Sequence, residues 1–347
     1  MSDLSSRYVQ KSKKHMMMIA LLGVATSLFA VYSMGTGSSS NLGFWQTLKI
    51  ILGLEDGSDL QSAIIWQLRF PRVLMAIVGG AALATAGALM QGALGNPLVS
   101  PLTMGVASGA ALGAALAIVL GWTFIDNSDL TIVLNAFFFS LIVVFIIIQL
   151  GNIRSISPES YILVGIAITF ISGAIVSTMQ YFATDAQLSA LAHWSFGSLS
   201  RPTLANAVFV SMSLVILMPT ALKWSWDLNA LSMGGDEFAI STGVDPVRTR
   251  KNILVLSALM TSIVIAFTGL IGFVGLAAPH MSRLFVGNDF RKLIPCSAVL
   301  GSFLMLFADT VGRTLFAPIV IPVGIMLSII GGPFFMYLLL KKPGVGR

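Results

Sequence analysis

The stretch from Ile64 to Gly113, IIWQLRFPRVLMAIVGGAALATAGALMQGALGNPLVSPLTMGVASGAALG, limits the possible folds more than any other part of the chain. It opens with arginines around a proline (Arg69, Pro71, Arg72) and continues as an apolar run dense in Gly and Ala. A polar break at Gly95-Asn96-Pro97 separates this run from a second one. A helix pair in water shows a polar face every few residues, and none is present here. Gly105, Gly109 and Gly113 recur every four residues, the spacing that lets helix backbones touch where lipid supplies no hydrophobic drive for association. The expectation is one side of a packed, multi-helix membrane core.

The remaining chain extends this pattern. Hydrophobic residues make up 56% and charged residues 10%, at a mean hydropathy of +0.90; soluble domains carry about 25% charged residues. With about 20 residues per span, further apolar runs fall at 16–34, 73–93, 101–121, 130–150, 160–182, 203–222, 252–270, 272–287, 293–312 and 320–340. The run at 272–287 is short and holds Pro279, His280 and Arg283, which predicts a broken or partial span. The basic start and apolar run of residues 1–34 resemble a signal peptide, but no small-x-small cleavage site follows, so the segment reads as a retained first span. The predicted fold is an all-α polytopic membrane protein of about ten transmembrane helices. It comprises a polar tail at 1–15, a single transmembrane domain at 16–340 and a second tail at 341–347.

Orientation follows from the basic residues. Arg7, Lys11, Lys13, Lys14, Arg154, Lys223, Arg248, Arg250, Lys251, Arg283, Arg291, Lys292, Lys341, Lys342 and Arg347 fall on one side, and Lys49, Arg69, Arg72, Arg201 and Arg313 on the other. Fifteen against five places both termini in the cytoplasm. The net charge of +6 is thus a topological bias and not a nucleic-acid surface. Two polar segments interrupt the spans. The loop at 223–251 is predicted to hold short cytoplasmic helices, with Asp236 as an N-cap and Gly243 just past a C-terminus. Outside, Leu188, Leu191 and Trp194 mark the apolar edge of an interfacial helix.

The chemistry the chain lacks is equally informative. It has no G-x-x-x-x-G-K-[ST] loop to hold a nucleoside triphosphate, no H-E-x-x-H and no G-x-S-x-G. His15, His193 and His280 lie far apart without flanking ligands, and Cys296 is the sole cysteine, so no metal site and no catalytic residue is predicted. Asp309 is the one carboxylate inside a span, four residues before Arg313, and reads as a local helix pair worth a few tenths of a kcal/mol. A carrier driven by its own ion gradient would need more acids in the membrane.

These residues resemble a known family. LRFPRVLMAIVGGAALATAGALMQGALGNPLVSPLTMGVASGAALG is similar to the signature of FecCD-type permeases, the membrane subunits of binding-protein-dependent ABC importers for ferric siderophores, haem and vitamin B12. WSFGSL (194–199), GDEFAISTGVDP (235–246), TGLIGFVGLAAPHMSR (268–283), ADTVGR (308–313) and IPVGIMLSIIGGPFFMYL (321–338) follow in the family's order.

The resemblance implies import of a ferric siderophore, or of haem, cobalamin or another chelate, across the bacterial inner membrane. The implied partners are a second permease (the same chain or a homologue), two cytoplasmic ATPase subunits that bind the ATP and Mg, and a periplasmic binding protein, all within membrane lipid. No cofactor belongs to this chain. The coupling helices that dock on the ATPase would be formed around Gly235, Asp236, Glu237, Ser241, Thr242 and Gly243; the alternative is a solvated loop. Arg69, Arg72 and Arg313 would face acidic residues on the binding protein, as bidentate donors, or else anchor headgroups. Gly87, Met90, Gln91, Met179 and Gln180 would line the path, or else pack helices. A secondary carrier and an intramembrane enzyme remain as remote alternatives.

Overall fold

The computed structural model describes residues 2–37, 42–123, 125–151 and 157–340. Expectations resting on Arg154, Lys341, Lys342, Arg347 and the tail at 341–347 lie outside these. Every regular element among the described residues is helical: α1 (Ser2–Gly35), α2 (Phe44–Ile51), α3 (Asp59–Ala63), α4 (Phe70–Ala93), α5 (Val106–Leu120), α6 (Ser128–Gly151), α7 (Pro158–Phe182), α8 (Asp185–Ser195), α9 (Leu204–Lys223), α10 (Ser225–Ser241), α11 (Pro246–Thr268), α12 (Val274–Val286), α13 (Phe290–Thr314) and α14 (Val323–Leu340). Among the described residues, seven helices are long and apolar enough to cross a membrane. The apolar helix α5 and the 13-residue α12 are shorter, as is the apolar stretch of α14 at Val323–Phe334. The chain is therefore a multi-pass membrane protein.

Two boundaries differ from expectation. The polar residues before the first span form no separate tail, because α1 is helical from Ser2. At 34 residues it reaches about 51 Å, well beyond the roughly 30 Å hydrocarbon core. The second long helix starts at Asp59 rather than near residue 73. Ser58 accepts from the Gln61 amide while the Gln61 side chain accepts from the Ser58 amide, which closes both ends of a capping box. Between α3 and α4 the backbone widens into a π-helical stretch, Ile64–Arg69, where the Phe70 amide reaches back to the Ile65 carbonyl. Pro71 follows, and a proline can neither donate to the preceding turn nor clear its carbonyl; a π-bulge absorbs such a misfit without breaking the helix.

The core forms around α4, which is buried along nearly its whole length against α11, α12, α13 and α9. The predicted glycine seam sits between α5 and α6, where a Cβ added to Gly113 would lie 2.2 Å from the Asn135 carbonyl. By contrast, α7 leaves most of its length uncovered, with Leu163, Phe170, Ile171, Tyr181 and Phe182 exposed. The helix α8 carries Leu191 and Trp194 buried and Leu188 at its margin.

The chain between α11 and α12, Gly269–Gly272, is not helical. Non-helical backbone at membrane depth persists only where protein covers it, and here other motif segments supply the cover. The Ser198 amide donates to the Thr268 carbonyl at 2.7 Å, and the Gly324 amide to the Gly197 carbonyl at 3.3 Å. A Cβ at Gly197 would sit 2.1 Å from the Leu270 carbonyl, one at Gly269 2.1 Å from that of Trp194, and one at Gly324 2.4 Å from that of Phe196. The sequence motifs at 194–199, 268–283 and 321–338 thus meet at one backbone joint.

Candidate functional site

Most Lys and Arg residues gather at one end of the bundle, and the segment joining α9 to α11 lies there. It is mostly helical, as α10, but broken at Gly234 (φ −151°, ψ 18°) and Gly235 (φ 70°, ψ −158°), the latter a conformation open almost only to glycine. Past the break the helix closes at Thr242 and Gly243. The Gly243 amide bonds the Ile240 carbonyl, the Val244 amide bonds the Ala239 carbonyl, and Gly243 has φ +84°, which is a Schellman ending. Gly243 therefore holds the predicted position.

Asp236 does not act as an N-cap. Its carboxylate takes both terminal nitrogens of Arg250, Nη1 at 2.8 Å and Nη2, while Arg250 Nε donates to the Ala93 carbonyl at 2.9 Å. Arg250 is buried, and its hydrogen bond outweighs desolvation and holds the Asp236 carboxyl below its ordinary value. Nothing local marks Arg250 as more than one charge among the topological set; its partners lie 14 and 157 positions away.

The first half of α10 is held separately. Asn229 donates from Nδ2 to Asp289 Oδ1 at 2.9 Å and accepts from the Phe290 amide at 2.9 Å. Arg291 donates to both Asp289 oxygens and stacks over Trp226, 4.4 Å from the ring centroid. Burial pushes the Asp289 carboxyl up, but these hydrogen bonds prevail and hold it at about 2. Around the break the surface is open and partly apolar: Met233 is 77% exposed, Ile240 63% and Phe238 42%, beside exposed Glu237, Ser241 and Thr242. The motif drew attention to the polar residues. The apolar ones were visible as large side chains in a loop too polar to span.

At the opposite end the three arginines are not free. Arg69 and Arg313 are buried. Arg69 Nη1 donates to the Met34 carbonyl at 2.9 Å and Thr47 Oγ1 at 3.3 Å. Arg313 donates to the Thr36 carbonyl at 2.6 Å, to the Ser33 carbonyl and to Ser33 Oγ. These carbonyls belong to the last turn of α1, where a helix leaves acceptors unpaired and its dipole favours cations. Within this chain both arginines cap the end of α1. Arg72 sits nearer the surface, its Nε 2.8 Å from Asp309 Oδ1 and its Nη1 2.6 Å from Ser200 Oγ. Asp309 is wholly buried, with Arg313 Nε 3.4 Å from its other oxygen, so the exposed-pair value expected for it does not apply.

The path residues divide. Gly87, Met90 and Gln91 are buried within the chain. A Cβ on Gly87 would lie 1.8 Å from the Gly275 carbonyl, and Gln91 Oε1 accepts from Arg283 at 2.5 Å. On α4 these positions pack against neighbouring helices within the chain. Met179 is half-buried and Gln180 exposed, both on the uncovered α7.

An all-helical, multi-pass bundle with a kinked polar segment secured at one end defines a polytopic helical membrane protein. Residues 18–341 match the model of the FecCD transport family. The chain belongs to that family and is an ABC importer permease. It is 40% identical, over 98% of both chains, to a Methanocaldococcus jannaschii protein named as an ABC transporter permease. It is 36% identical to the hemin transport system permease of Yersinia pestis, covering 93% of this chain and 96% of the relative. It is 33% identical to the Fe(3+)-citrate import permease of Bacillus subtilis, covering 95% and 96%. A solved metal-chelate type ABC transporter in an inward-facing conformation superposes with a TM-score of 0.81 at 30% identity, over 93% of this chain and 99% of that one.

Proposed function

We propose that the chain imports a ferric siderophore across the cytoplasmic membrane, with ATP hydrolysed by separate subunits that dock on the broken helix α10. The observation that carries this reading is the exposure of Met233, Phe238 and Ile240 beside Glu237, at the end rich in Lys and Arg. Large apolar side chains on a charged, water-facing segment mark a protein contact, and Gly235, Asp236, Ser241, Thr242 and Gly243 fix its shape. The basic end is then cytoplasmic. The seven long helices with α5, α12 and α14 make ten spans, both termini inside. The uncovered face of α7, with Met179 and Gln180, meets a second permease along the path. A periplasmic binding protein docks at the opposite end near Arg72 and Ser200, while Arg69 and Arg313 support that surface from beneath.

A second reading, haem or another metal chelate as cargo, draws support from the hemin relative. The test is purification from native membranes. The wild-type chain should bring ATPase subunits with it, and Phe238→Asp with Ile240→Asp should lose them while the permease stays folded. Retention of the subunits by that double variant refutes docking there. Uptake of labelled ferric hydroxamate against labelled haem decides between the cargoes.

A further inference from the structure

Each half of α10 touches the same end of α4 through a separate contact. The buried Leu228 of the first half lies beside Gly92, where an added Cβ would come 2.9 Å from its methyl group. The second half reaches α4 through Arg250, whose fork grips Asp236 while its Nε holds the Ala93 carbonyl. A carbonyl in the last turn of a helix has no partner of its own, so this bond grips the helix end itself. A planar guanidinium held by three bonds and buried has little freedom to slide. Only the non-helical Gly234-Gly235 pair separates the two halves, so each half meets α4 through its own contact and not through a continuous helix. The α4 helix then runs the depth of the bundle to Arg72, which bonds Asp309 and Ser200.

We infer that Arg250 is a positioning residue for transport: with Asp236 it carries movement of the docking segment into α4 and along it to the opposite end. This rests on the docking reading above. Ala93 is the contact a solvated loop would have no reason to make.

The test uses the complex purified with its ATPase subunits in lipid vesicles. The background is Cys296→Ser, with a fluorophore on Leu68→Cys, an exposed site beside the opposite end of α4. ATP trapped with vanadate should change the fluorescence. Arg250→Gln gives up the two-pronged grip on Asp236 and should shrink that response at least about tenfold, the scale of even one lost charge-assisted hydrogen bond, with the ATPase subunits still bound. Should Arg250→Gln fail to assemble, Asp236→Asn tests the same link, since it leaves the Ala93 bond and the buried face intact. An undiminished response in Arg250→Gln or Asp236→Asn overturns the inference. A wild-type complex that binds its ATPases but gives no response at Leu68 overturns the route through α4. A wild-type chain with no ATPase bound refutes the docking reading instead, and so the two failures are distinct.

Discussion

Replacing Asp309 with asparagine removes one charge and almost no volume, so its effect isolates electrostatics. Asp309 is wholly buried, and its oxygens lie 2.8 Å from Arg72 Nε and 3.4 Å from Arg313 Nε. Were this the exposed i,i+4 pair that the spacing suggests, its loss would cost about 0.3–0.5 kcal/mol. Removing one partner of a buried pair instead leaves an uncompensated charge and costs about 3–5 kcal/mol. The lower end applies, because the Arg72 side chain is 13% exposed and can turn towards water. About 3 kcal/mol in a chain of this size corresponds to a fall in Tm of about 4 °C. The protein carries its own reporter: Cys296 is the sole cysteine and fully buried, so a thiol-reactive dye lights up only on unfolding. A melting temperature within about 1 °C of wild type would show that the cluster is screened and that the argument from burial is wrong.

Gly87→Leu should abolish folding, since even a Cβ would overlap the Gly275 carbonyl; a monodisperse, folded variant with altered transport would return Gly87 to the path. For Asp289, the folded pKa of about 2 lies below the ordinary 3.8, so its contribution is complete above about pH 4 and is lost as pH falls towards about 2. Asp289→Asn should therefore melt below wild type at about pH 6, with the gap closing through that window. A gap that stays constant with pH would mean that the carboxylate charge is not what holds the Asn229–Arg291 junction.

The bundle itself was legible because the apolar runs are long, and because Gly105, Gly109 and Gly113 carry their spacing openly. The early start at Asp59 was also written in the chain, as Ser58-x-x-Gln61, but the polar residues before it obscured the signal. The arginines were a different matter. Arg69 finds its partner 35 positions away and Arg313 280 positions away. Nothing local distinguishes an arginine that caps a distant helix from one that waits for another protein. The same holds for Arg250, and for Gly87, where packing and path demand the same small residue.

The joint of Gly197, Gly269 and Gly324 has a mechanical consequence. Carbonyls there stand where methyl groups would be, so main chain meets main chain directly, with little side chain between to tilt, compress or change rotamer. Contacts between side chains can yield by small repacking, whereas main chain against main chain either keeps its fit or parts altogether. The short helix α8, the break before α12 and the start of α14 are thereby welded, and any opening at that depth must displace them as one solid piece. Mobility during a transport cycle is confined to the seams around that piece.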